Sequence, residues 1–126
     1  MFSHIMLGAN DLEASKGFYD ATLAILGIRP GVLSHGRYYY RSPTGVFAIT
    51  KPLDGKEASP ANGGTIGFSA KSVEDVNAFH ATGLAHGGFE CEGVPGYRDG
   101  AAGTIYIAWL RDPAGNKICA LHRPPK

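Results

Sequence analysis

A segment near the start of the chain recurs, without a gap, in its second half. Setting HIMLGANDLEASKGFYDATLAILG (4–27) against TIGFSAKSVEDVNAFHATGLAHGG (65–88) pairs Ile5 with Ile66, Ala9 with Ala70, Glu13 with Glu74, Phe18 with Phe79, Leu23 with Leu84, Ala24 with Ala85 and Gly27 with Gly88. The chain then reads as one domain, or as two small halves sharing a core. Each copy reads as a strand followed by a helix. In the first, Asn10 or Asp11 caps the helix, Glu13 lies in its opening turn, Leu12, Phe18 and Leu23 form its apolar face, and Gly27 ends it. In the second, Ser72, Glu74 and Asp75 open the helix, Val73, Val76, Phe79 and Leu84 form the face, and Gly87 and Gly88 follow.

A second correspondence closes each copy: RSPTG (41–45) against RDPAG (111–115). In the later copy the turn residues Asp112-Pro113-Ala114-Gly115-Asn116 join two apolar runs, a hairpin pattern spanning Thr104 to Leu121. The first run is apolar on both faces, which predicts a sheet covered on both sides. The Gly- and Pro-rich stretch 51–64 reads as the linker between module one (1–50) and module two (65–126) of a single domain.

At 126 residues the chain is long enough to hold a core without staples. A net charge of +1 supplies no field for nucleic acid or an acidic membrane, and the basic tail from His122 to Lys126 reads as a solvated end. Two cysteines, Cys91 and Cys119, and no basic-then-apolar leader argue against a disulfide framework and secretion. No apolar run approaches the roughly 20 residues of a membrane span, and a cytoplasmic protein is expected.

The paired strand–helix–three-strand modules, the opening HIMLGANDLEASKGFYDATLAILGI and the closing LRDPAGNKI resemble the vicinal oxygen chelate superfamily, which includes glyoxalase I, extradiol dioxygenases and bleomycin-resistance proteins. The resemblance implies an α+β fold of two βαβββ modules. Mixed, curved sheets enclose a cup, with helices outside and a pocket where modules face each other, within a chain or across a homodimer. It further implies metal ligands on the first and last strand of each module. Those positions fall on His4 and on Ala48 or Ile49 in module one, and on Thr65 and Cys119 in module two. One imidazole and one thiol are too few for a zinc site, and the oxygen donors that harder divalent metals need are lacking. No cofactor is therefore expected, a divalent metal at His4 being the alternative, and glyoxalase I chemistry is not supported.

Strand alternation adds the walls. Met6 shares a face with His4, and Leu121 shares one with Cys119. The resemblance implies that Ile107 and Trp109 face the pocket while Ala108 and Leu110 pack on helices, and that Tyr39 is the module-one counterpart of Trp109. Tyr39 and Trp109 would then form an aromatic slot, or fill the space themselves. The segment 92–103 reads as a mobile loop over the pocket mouth, with Arg98 at its centre either clamping an anion or pairing with Asp99. Arg41, repeated as Arg111, reads as a structural turn residue. His35, His80, His86 and His122 read as solvated or helix-surface groups.

His4 is either a satisfied strand histidine or a polar group of the pocket, and Cys119 is either a small buried hydrophobe or, beside His4, a thiolate. Three functions follow. The chain is a metal-independent binder of an apolar or aromatic small molecule; or a lyase or oxygenase using His4 with Cys119 or a metal; or a non-catalytic dimer whose cups are filled by its own side chains.

Overall fold

The computed structural model describes residues 1–125; Lys126, the last residue of the basic tail, lies outside the described residues. Strand β1 (His4–Gly8) leads into helix α1 (Leu12–Ile25), followed by β2 (Val32–Ser34), β3 (Arg37–Ser42) and β4 (Gly45–Thr50). After the linker come β5 (Ile66–Ser69), helix α2 (Val73–Ala85), β6 (Phe89–Glu90), β7 (Gly96–Gly100), β8 (Gly103–Arg111) and β9 (Lys117–His122). The first sheet has the order β1-β4-β3-β2, with β1 parallel to β4 and the other pairs antiparallel. The second has the order β5-β9-β8-β6, with β7 also on β8, and β5 parallel to β9. Two helices and two mixed, unclosed sheets make the expected α+β fold.

The local chemistry explains these boundaries. Asp11, not Asn10, caps α1, its side chain accepting from the Ala14 N–H at 3.0 Å, and Ser72 does the same for α2 from the Asp75 N–H at 3.1 Å. Gly27, at φ 83°, ends α1 while the Ile28 N–H reaches back to the Leu23 carbonyl at 3.0 Å. The apolar faces then meet in one core. Phe18, Tyr19 and Leu23 pack with Tyr38, Tyr40, Phe47 and Ile49, and Val76 and Phe79 with Ala108, Leu110, Ile118 and Ala120. The helices pack on each other, and Phe47 meets Phe68 edge to face at 5.2 Å, so both halves share that core.

Three expectations change. The segment 92–103 is not a free loop, because Gly96–Gly100 forms β7 and pairs antiparallel with β8, Arg98 opposite Ile105. Its glycines and proline mask a strand that is specified by main-chain pairing rather than by β-propensity. Strand β8 is covered by a helix on one face only; on the other, Trp109 stays partly exposed with the Arg98 and Lys117 side chains close to its ring. His80 is buried rather than on the helix surface. Among the described residues, no helix is long and apolar enough to cross a membrane.

Candidate functional site

Each sheet has a helix-packed face and an open face, and alternation decides which residues go where. On the first sheet, Ile5, Leu7, Tyr38, Tyr40, Phe47 and Ile49 face the helices, which puts His4, Met6, Ala48 and Tyr39 on the open face. Met6 stands opposite Ala48, and Ala48 opposite Tyr39. The register left undecided by the sequence is thereby fixed: Ala48 occupies the open face, and Ile49 belongs to the core. Tyr39 is half-buried, with the Arg41 guanidinium carbon 5.4 Å from its ring centroid. His4 is exposed at the outer edge, its Nδ1 2.7 Å from the Ser3 hydroxyl.

The second sheet repeats the pattern. Ala108, Leu110, Ile118 and Ala120 face the helices, leaving Ile107, Trp109, Cys119 and Leu121 on the open face. Trp109 pairs with Cys119, and Ile107 with Leu121. The Arg98 guanidinium carbon lies 5.7 Å from the Trp109 ring centroid and the Lys117 Nζ 5.9 Å from it. Lys117 is also ion-paired with Glu92. Arg98 donates to the Tyr97 carbonyl at 2.9 Å and not to Asp99, which points to the other face opposite Thr104. Cys119 is buried, and desolvation pushes its thiol up to about 11. Its Sγ lies over Gly67, where an added Cβ would come within 3.2 Å. Thr65 is exposed, one residue before β5.

The fold thus brings Met6, Ala48 and Tyr39 together on one sheet, and Arg98, Trp109 and Cys119 together on the other. It does not join the two groups within one chain: the sheets share no strand pairing, and β1 and β5 end them as outer strands. Between those two edges lies a cavity of about 670 Å³, its lining including His4, Arg41, Phe47, Phe68, Lys71 and Arg29. Neither Tyr39 nor Trp109 lines it, nor does Cys119. Sequence reasoning missed Lys71, Arg29 and the second role of Arg41. Arg111 does donate to the Gly115 carbonyl of its turn at 2.9 Å, whereas Arg41 lies over Tyr39, so the repeated arginine serves two different ends.

This fold and these faces belong to a known family. The model for the glyoxalase/bleomycin resistance protein/dioxygenase superfamily matches residues 1–120, and the chain is a member of that superfamily. It is similar to a glyoxalase/bleomycin resistance protein from Albidiferax ferrireducens T118, at 62% identity and a TM-score of 0.95, covering 98% of this chain and 99% of that one. A glyoxalase-related enzyme from Fulvimarina pelagi shares the fold at 20% identity, TM-score 0.74, and 98% and 88% coverage. A lactoylglutathione lyase from Agrobacterium tumefaciens shares it at 21% identity, TM-score 0.64, and 97% and 92% coverage. No curated protein matches the chain.

The donor set does not fit the metal that the superfamily's chelating positions imply. Ala48 has no donor, Thr65 is a weak one, and the Cys119 thiol is held protonated by its apolar surroundings. His4 alone is a competent ligand. Where module one faces module two, within a chain or across two, these positions offer one imidazole and one buried thiol.

Proposed function

We propose that this chain is a small-molecule-binding member of the superfamily, with the ligand held on the open faces around Tyr39 and Trp109 and no resident metal. The observation that carries this reading is Trp109, an indole kept half-exposed between two cations, directly beside a buried thiol where a chelating carboxylate is expected. An aromatic surface that contributes nothing to the helix-packed core is suited to stacking a flat or apolar ligand.

The working unit in this proposal is a homodimer of one-domain chains, each made of modules 1–50 and 65–126 joined by 51–64. Two outer strands, β1 and β5, flank one cavity and leave main-chain donors and acceptors unpaired, an arrangement that a second copy would satisfy. Free, unpaired Cys91 and Cys119 agree with a reducing, cytoplasmic setting.

A second reading makes the chain an enzyme in which His4 acts as acid or base, and its favouring observation is the place of His4 on the cavity between the edges. Cys119 adds little to it: a thiol at about 11 supplies only ~10⁻⁴ of thiolate at neutral pH.

The test follows the indole N–H resonance of Trp109, the only tryptophan, while a neutral naphthalene probe, 2-naphthamide, is added to the purified protein. Saturable movement of that resonance, lost in Tyr39→Ala, supports the proposal and the pairing of the two faces. A silent Trp109, together with turnover that disappears in His4→Ala, supports the enzyme instead.

A further inference from the structure

Charge is sorted between the two sides of the sheets. Every arginine and lysine that lies within a strand, Arg37, Arg41, Arg98, Arg111 and Lys117, stands on an open face, in register with Tyr39 or Trp109. The acidic residues within strands are Glu90 and Asp99, and both stand on the opposite face, across from Leu110 and Thr104. With a net charge of only +1, this is placement and not a general excess of basic groups. Among the described residues, the carboxylate that reaches these cations is Glu92, bound to Lys117; Arg37, Arg41 and Arg98 have no ion-pair partner.

Arg98 and Arg41 also share a posture. Each guanidinium lies over an aromatic ring, at 5.7 Å from Trp109 and 5.4 Å from Tyr39. Arg98 spends two of its nitrogens on the Tyr97 and Val94 carbonyls, at 2.9 and 3.5 Å, which fixes the plane of the fork without neutralising its charge. A positioned, uncompensated guanidinium beside an indole can receive the carboxylate of a ligand while the indole stacks on its ring.

We infer that the ligand of this face is a planar organic anion, an aromatic ring bearing a carboxylate, with the ring against Trp109 and the carboxylate on Arg98. This rests on the reading of the open faces as the binding site and adds the charge of the ligand to it. Arg41 beside Tyr39 supplies the corresponding pair from the other module. A cationic ligand is disfavoured on both faces by the same groups.

The experiment compares 2-naphthoate with 2-naphthamide, which share a ring system and differ in charge, using the Trp109 indole resonance as the readout. Naphthoate should bind at least about tenfold more tightly, as expected for a charge-assisted contact. Raising the salt from about 50 mM to about 500 mM should weaken naphthoate and leave the amide unchanged. Arg98→Gln, a substitution at an exposed position, should bring the two affinities together while the thermal midpoint stays put. Equal binding of acid and amide in the parent protein overturns the anion inference and leaves the site in place. Failure of both probes to move Trp109 overturns the site reading and the inference with it.

Discussion

The Tyr19 hydroxyl donates to Asp112 Oδ2 at 2.6 Å, across 93 positions of sequence and from the helix of the first half to the hairpin turn of the second. Asp112 is a hub. Its Oδ1 accepts from the Ala114 and Asn116 N–H groups at 2.9 Å each, and its Oδ2 accepts from the Asn116 side-chain amide at 2.9 Å. That amide also donates to the Gly8 carbonyl at 2.9 Å, tying the same turn to the end of β1. Both Tyr19 and Asp112 are buried, and the hydrogen bonds replace the water that the carboxyl group gives up.

Removing either member should therefore cost stability unequally. Tyr19→Phe deletes one bond to a charged group and should cost about 1.5–3 kcal/mol. Asp112→Ala strands several buried donors at once and should cost about 3 kcal/mol or more. Urea midpoints at unchanged slope measure both. An Asp112→Ala protein as stable as the parent would show the turn to be incidental to the joining of the halves.

Two helical glycines should respond in opposite senses to alanine. At Gly83 on α2, an added Cβ would overlap Leu110 Cδ1 and approach Phe18 Cε2 to 3.2 Å, and both neighbours are fully buried. Gly83→Ala should destabilise by about 1–3 kcal/mol through overpacking. Nothing lies within 4 Å of a Cβ at Gly17 on α1, so Gly17→Ala should stabilise by about 0.5–1 kcal/mol. Thermal midpoints moving in the same direction for both would contradict the packing described between α2, α1 and β8.

His80 gives the fold a sensitivity to acid. Burial lowers the pKa of its imidazole, the Glu90 carboxylate opposes that only in part, and Nε2 is buried without a hydrogen-bond partner. The unfolded chain takes up the proton at a higher pH than the folded one, so this contribution to stability is complete above about pH 6.5 and falls as the pH drops through it. Urea midpoints near pH 7.5 and pH 5.5 should separate less in His80→Gln than in the parent protein. An unchanged separation would place the acid sensitivity elsewhere.

The two thiols should differ in reactivity. Cys91 is partly exposed, while Cys119 is buried and pushed up to about 11. With iodoacetamide near pH 8, Cys91 should be modified first and Cys119 only slowly, as followed by peptide mass spectrometry. Rapid alkylation of Cys119 near neutral pH would return it to consideration as a nucleophile.

Much of this architecture was legible in the repeat. An offset that pairs Ile5 with Ile66 and Phe18 with Phe79 sets both strand–helix units, and the RDPAG turn sets the β8–β9 hairpin. The same offset places His80 at the position of Tyr19, which was the available sign that His80 would be buried. The first half offers it no matching carboxylate: the turn residue corresponding to Asp112 is Ser42, whose hydroxyl bonds to the Gly45 carbonyl at 3.1 Å. Strand β7 was hidden because Gly96 and Gly100 carry no β signal of their own. The open-face residues followed from alternation, but the charge sorting did not emerge until register put Arg98 opposite Ile105 and Lys117 opposite Arg111. Tyr39 and Trp109 stand on sheets that share no strand pairing, a separation that alternation along single strands does not reveal.

The central claim, a binding face where chelating groups have been replaced, is tested most directly by the divalent-metal content of protein purified without chelators. Elemental mass spectrometry should find metal far below one ion per chain, and no ion retained through dialysis, because His4 is the one competent ligand left at the superfamily's positions. A retained stoichiometric ion that disappears in His4→Ala would contradict the account.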